Sequence, residues 1–191
     1  MKREQADQDG LWIETGRLVL RRPQLSDAPA ITALAGDWAV ASNLATMPHP
    51  CREADTRDWI SRARSDEAET AFVITLAKGR GLIGACGIGP ATWTEGRQIG
   101  YWLGAPYWRR GYATEAARAM VDLAFGSEKL AHLWCSCRVT NEGSRGVIHK
   151  CGFQFHSAGM MFMRAAGASV PVEHYCLDRS VWLAFNRWRA A

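Results

Sequence analysis

Two arginines, a glycine and the start of a helix fall together in Tyr107-Trp108-Arg109-Arg110-Gly111-Tyr112-Ala113-Thr114-Glu115-Ala116. This stretch joins a strand-like run to the most regular amphipathic segment of the chain, so that helix's first unpaired N–H groups lie within it. Free backbone donors, the positive end of the helix dipole and a glycine permitting close backbone approach suit a pyrophosphate. The same residues also suit a tight strand-to-helix turn with solvated arginines, and the stretch alone leaves both readings open. It carries neither Gly-x-x-x-x-Gly-Lys-Ser/Thr nor Gly-x-Gly-x-x-Gly, the turns of nucleoside triphosphate and dinucleotide sites. A second pair, Asn141 and Ser144, follows a strand-like run and suits a helix cap. Cys135 and Cys137 share the apolar face of that run with Leu133 and Val139, which predicts core packing rather than thiol chemistry.

The elements that must position these residues follow from periodicity. Residues 113–126 place Ala113, Ala116, Ala117, Met120, Val121 and Ala124 on one helical face. Residues 132–139 alternate, with His132, Trp134, Ser136 and Arg138 opposite the apolar set. Strands are also predicted at 17–21, 71–76, 82–88, 98–103, 157–164 and 172–178. Further helices are predicted from Ser26-Asp27, through Trp59, Ile60 and Ala63, and over 142–151 before Gly152. Residues 1–10 read as a polar tail and residues 11–189 as one mixed α/β domain that ends in a Trp-rich tail.

Composition narrows the classes. With 191 residues a single core is large enough without a metal or disulfide. The histidines at 132, 149, 156 and 174 and the six cysteines show no zinc spacing, so no metal is expected and the thiols read as reduced. No apolar run is long enough to span a membrane, and no secretory signal follows Met1, which predicts a cytoplasmic protein. The net charge of +4, from 23 basic and 19 acidic residues, is too balanced and dispersed to predict nucleic-acid binding, although it suits a small anionic ligand.

Taken together, several blocks resemble the GCN5-related N-acetyltransferases, most closely the branch that includes the ribosomal-protein N-terminal acetyltransferases. The blocks are Thr15-Gly16-Arg17-Leu18-Val19-Leu20-Arg21, Pro48-His49-Pro50, Ile99-Gly100-Tyr101-Trp102-Leu103, Tyr107 through Ala116, and Asn141 through Phe153 with Ser144, Ile148, Lys150 and Gly152. The resemblance implies a central, splayed, mostly antiparallel sheet of about seven strands flanked by helices, parting between strands 98–103 and 132–139. It implies acetyl-CoA in the gap, with pantetheine against the backbone of Trp102, Leu103 and Gly104. The pyrophosphate would lie over Arg109, Arg110, Gly111, Tyr112, Ala113 and Thr114. Asn141 would bind the pantetheine arm, and Ser144 would bind the thiol and protonate it as it leaves. Trp108 stands where the family usually has Gln or Arg, while Gly111 and Ala113 keep the pattern.

Acetyl transfer from a thioester needs a neutral amine nitrogen, a polarised carbonyl and a protonated leaving thiolate. The resemblance implies direct attack in a ternary complex, with an amine acceptor and a monomer or homodimer. Many relatives carry a glutamate where this chain has Gln98. The nearest carboxylate is Glu95, in a turn, with Glu173 and His174 as further candidate bases. Trp38 and Trp93 fall in loops that would border the acceptor side. Gln98 and Trp108 also motivate an alternative, a catalytically impaired acyl-CoA-binding or regulatory module of the same fold.

Overall fold

The computed structural model describes residues 3–7, 10–65, 69–79, 81–127 and 130–190. Its frame is one nine-stranded sheet in the order β1-β2-β3-β4-β5-β6-β7-β9-β8. The strands are β1 (Arg3–Asp7), β2 (Gly10–Glu14), β3 (Leu18–Arg21), β4 (Thr70–Leu76), β5 (Leu82–Pro90), β6 (Arg97–Leu103), β7 (His132–Arg138), β8 (Gln154–Met163) and β9 (Ala168–Asp178). Every neighbouring pair is antiparallel except β6 and β7. The helices are α1 (Ala28–Ala35), α2 (Trp38–Ala41), α3 (Glu53–Ser65), α4 (Tyr112–Ser127), α5 (Glu142–Lys150) and α6 (Arg179–Ala190).

β4 runs through the middle of the sheet, and its apolar run Ala71-Phe72-Val73-Ile74 is buried on both faces. Phe72 and Ile74 join the larger core, with Ile99, Leu103, Met120, Phe125, Leu133 and Phe153. Val73 joins a smaller core on the opposite face with Ile31, Ala35 and Ile60 from α1 and α3. The predicted α4 stripe is buried at Ala116, Ala117, Met120, Val121 and Ala124, and its alanines let the helix lie close to the sheet. Each fully buried large apolar side chain contributes roughly 1.5–3 kcal/mol, so this face fixes where the α4 N-terminus points. Gly79-Arg80-Gly81-Leu82-Ile83-Gly84 spells Gly-x-Gly-x-x-Gly, but it runs into β5 rather than a helix and so lacks the setting of a dinucleotide turn.

The seven predicted strands all form, and the sheet gains two more. Arg3–Asp7 pairs with Gly10–Glu14 as a hairpin, and β2 continues onto β3. The alternating run there is too short to stand out in the sequence. The C-terminal segment is likewise helical; α6 is anchored where the Trp182 indole N–H donates to Asp122 Oδ1 at 2.7 Å and the ring stacks on Phe125.

β6 and β7 are joined only at Gln98 and Trp134. Beyond that pair they part. β6 leads through a turn to α4 and β7 leads to α5, so both helix N-termini open at the parted end.

Candidate active site

The turn before α4 is held open by backbone conformation. Arg109 has φ +59° and Gly111 φ +79°. Glu115 N–H donates to the Gly111 carbonyl, closing the first helical turn. The amides of residues 109–114 have no acceptor among the described residues, which leaves six backbone donors at the positive end of a 16-residue helix. Arg109, Arg110 and Gly111 are exposed, while Tyr112, Ala113 and Thr114 are half-buried.

A brace from the other end of the chain secures this turn. Glu115 Oε1 accepts from Thr15 Oγ1 at 2.6 Å and from Arg17 N–H at 2.8 Å, and Oε2 accepts from Arg17 Nε at 2.7 Å. Arg17 Nη1 donates to the Arg110 carbonyl at 2.9 Å, and the guanidinium lies 4.7 Å over the Tyr112 ring. Burial opposes the Glu115 charge, but the bonds from Thr15 and Arg17 outweigh it and hold the carboxyl below its usual range. The motif containing Thr15 and Arg17 is visible in sequence; its pairing with Glu115 is not.

The edge of β6 facing the gap differs from expectation. Gly104 N–H donates to the Ile83 carbonyl, and the Gly104 carbonyl accepts from Tyr107 N–H. Both of its backbone groups are therefore engaged inside the chain. By the alternation of an antiparallel pair, Trp102 also turns its backbone to β5, leaving Tyr101 and Leu103 to face the gap. The Leu103 carbonyl accepts the Trp108 indole N–H at 2.7 Å. Trp108 thus ties the turn to β6, a structural role that accounts for this departure from the family pattern. Trp102 packs its side chain with α1 and α3.

At the start of α5, Asn141 is the N-cap and its Oδ1 accepts Ser144 N–H at 3.0 Å. Ser144 Oγ lies 3.0 Å from the Tyr101 hydroxyl, which also reaches the Ser144 carbonyl at 3.2 Å. Burial raises the Tyr101 phenol well above its ordinary value, so it stays a hydrogen-bond donor at neutral pH. The Tyr101–Ser144 contact joins β6 to the start of α5. It was missed in the sequence because Tyr101 reads there only as a strand residue.

Cys135 and Cys137 are buried as expected; burial pushes the Cys137 thiol up to about 11 and Cys135 higher still. Glu95 is exposed in the β5–β6 turn, at the joined end of the strand pair. Glu173 binds Arg145 Nε at 3.0 Å and accepts the Tyr175 hydroxyl at 2.7 Å, which makes it half of an ion pair. His174 Nδ1 lies 2.8 Å from Ser136 Oγ, and its ring stacks on Trp93 at 3.8 Å. Trp38 is exposed beside His49, with ring centroids 5.0 Å apart.

Known proteins share this fold. A sequence model of the acetyltransferase (GNAT) domain matches residues 17–154. An uncharacterized N-acetyltransferase p20 from Bacillus licheniformis is 26% identical over 166 residues, 85% of this chain and 93% of that protein. The solved GNAT-family acetyltransferase of Bacillus anthracis superposes with a TM-score of 0.76 at 21% identity, covering 88% of this chain and 99% of the other. A ribosomal L7/L12 alpha-N-protein acetyltransferase in complex with coenzyme A gives 0.71 at 17% identity, over 86% and 95%. With the family domain matched over most of its length, this chain belongs to the GNAT acetyltransferases and is an acetyl-CoA-dependent enzyme.

Proposed function

We propose that the protein moves the acetyl group of acetyl-CoA to a primary amine by direct attack in a ternary complex, within one domain spanning residues 11–189. The observation that carries the reading is the row of unpaired amides at 109–114 beside the parted β6 and β7. Those amides, with Arg109 and Arg110, would hold the pyrophosphate. The gap-facing backbone of Tyr101 and the Leu103 N–H would align the pantetheine arm, and Asn141 would reach it with the amide nitrogen that its cap leaves over. Acetyl-CoA supplies the activated acyl group.

Ser144 is the proposed proton donor to the leaving sulfur. The Tyr101 hydroxyl donates to the Ser144 carbonyl and lies 3.0 Å from Ser144 Oγ, which fixes the serine hydroxyl beside β6. Glu95, as base, would need a water chain, because up to ~16 Å of strand separates it from Gly100.

The acceptor is a protein α-amino group or a small-molecule amine. An α-amino group, at about 8, yields its proton more readily than an alkylammonium near ~10. The solved relative named for α-N-protein acetylation supports that choice. No helix among the described residues is long and apolar enough to cross a membrane, and the six unbridged cysteines support a cytoplasmic setting. Purified protein given acetyl-CoA and a panel of peptide N-termini and amines should release free thiol with at least one acceptor and yield a product heavier by one acetyl group. Thiol release with none of them overturns the reading and favours a binding module. Ser144→Ala should lower kcat while leaving acetyl-CoA affinity intact.

A further inference from the structure

On the face of the sheet opposite α4 and α5, the joined pair Gln98 and Trp134 marks the last point where β6 and β7 touch. Two residues further along each strand stand Gly100 and Ser136. Gly100 is exposed, and a Cβ built on it would have no atom within 4 Å. The floor of the gap is therefore open on this face, and Ser136, half-buried, borders it. Behind Ser136, on the neighbouring β9, His174 is 5% exposed, and its Nδ1 lies 2.8 Å from the serine Oγ.

The imidazole has little freedom. Trp93 stacks on one face with an interplanar angle of 24°, and Gly159 of β8 lies so close that a Cβ there would sit 3.0 Å from Nε2. Gln98, the residue in place of the family's strand carboxylate, cannot titrate. A fixed histidine joined to a serine at the mouth of the gap is the alternative that the geometry supplies.

We propose that Ser136 and His174 together accept the proton that the acceptor amine must lose. This inference rests on the acetyl-transfer reading above. Ser136 touches the amine and is the catalytic residue; His174 acts through it and is a positioning residue and proton sink. The ammonium's proton passes first to Ser136 Oγ, which frees the lone pair; the nitrogen then forms its bond to the acetyl carbon as the carbon–sulfur bond breaks, and the second proton it sheds goes to solvent. The serine's own proton passes to His174 Nδ1, leaving Ser136 unchanged and His174 as imidazolium, which returns its proton to solvent. The departing sulfur takes its proton from Ser144, which regains one from solvent. This route requires the tautomer with hydrogen on Nε2 and Nδ1 free to accept.

Desolvation keeps His174 below the ordinary histidine value, and the nearby His156 of β8 adds to this, so the ring is neutral and able to accept at pH 7. The other groups packed on it, Trp93 from the β5–β6 turn and Ser136 from β7, carry no charge.

The test uses the full chain, a peptide with a free N-terminus and the pH dependence of kcat/KM. At pH 7, Ser136→Ala and His174→Gln should each lose about 100-fold, with acetyl-CoA affinity unchanged by calorimetry. The deficit should shrink about tenfold by pH 9, where an amine of pKa ~8 is already mostly free. Ser136→Thr, which keeps the hydroxyl, should recover most of the rate. If His174→Gln does not fold, Ser136→Ala alone decides, since it removes one half-buried oxygen. Full activity of Ser136→Ala at pH 7, or a deficit equal at pH 7 and pH 9, overturns the dyad while leaving acetyl transfer standing. A wild-type protein inactive on every amine overturns both.

Discussion

Replacing Glu115 with alanine probes how much of the cofactor turn's shape is imposed from outside it. The carboxylate takes three short hydrogen bonds from Thr15 and Arg17, and Arg17 in turn holds the Arg110 carbonyl. Bonds to a charged group are worth about 1.5–3 kcal/mol each when buried. The Arg17 side chain is 51% exposed, so solvent screens its ion pair to at most ~1 kcal/mol. A total near 2 kcal/mol follows for the brace, and a drop in Tm of about 4–8 °C for a chain of this size. Affinity should suffer as well. The left-handed Arg109 conformation costs about 1–2 kcal/mol, and without the brace that cost returns on binding. Glu115→Ala should therefore weaken coenzyme A binding about tenfold, measured by isothermal titration calorimetry, and lower Tm in the same preparation. The pH dependence has a definite sign. Because the folded carboxyl sits below its usual value of 4.5, its contribution is present above that pH and is lost as pH falls through the folded value. Wild-type and variant stabilities should converge once the pH lies below the folded carboxyl's lowered value. A variant within 1 °C of wild type, binding coenzyme A within a factor of about two, would refute the brace.

Three further outcomes are expected. Gly111→Val places a branched side chain at φ +79° with its Cβ 3.2 Å from Arg17 Nη2, so coenzyme A binding should be lost while circular dichroism shows a folded domain. Tyr101→Phe removes the donor to Ser144 and should lower kcat about tenfold with KM for acetyl-CoA unchanged; a rise in KM alone would contradict the assigned role. In the native protein at pH 7.5, a thiol reagent should modify Cys51, which is half-buried, well before the buried Cys86, Cys135 and Cys137 and before Cys176, half-buried but with a raised thiol. Burial pushes the thiols of Cys137 and Cys176 to about 11 and those of Cys86 and Cys135 further.

Local pattern carried the parts of the fold with strong periodicity. The α4 stripe at 113–124 and the alternation at 132–139 are both buried where their spacing places them, because one face of each element packs against the core. The hairpin formed by β1 and β2 escaped notice because five-residue strands give a period-2 signal too brief to separate from a tail. Helix α6 was hidden by its unusual tryptophan content, and its position depends on Asp122, about 60 residues earlier. The turn at 109–114 was legible because glycine, arginines and a helix start are adjacent in sequence. The Glu115 brace, the Trp108 bond to Leu103 and the Ser136–His174 pair each join residues brought together only by strand order and register, which a single sequence does not display.

The central claim is that the amides of residues 109–114 receive the pyrophosphate of coenzyme A. Amide hydrogen exchange of the 15N-labelled protein, with and without coenzyme A, measures it residue by residue. These six amides, having no acceptor among the described residues, should exchange fast in the free protein and slow by at least about tenfold on saturation. Amides already protected in the free protein, or unchanged when coenzyme A is shown to be bound, would contradict the account.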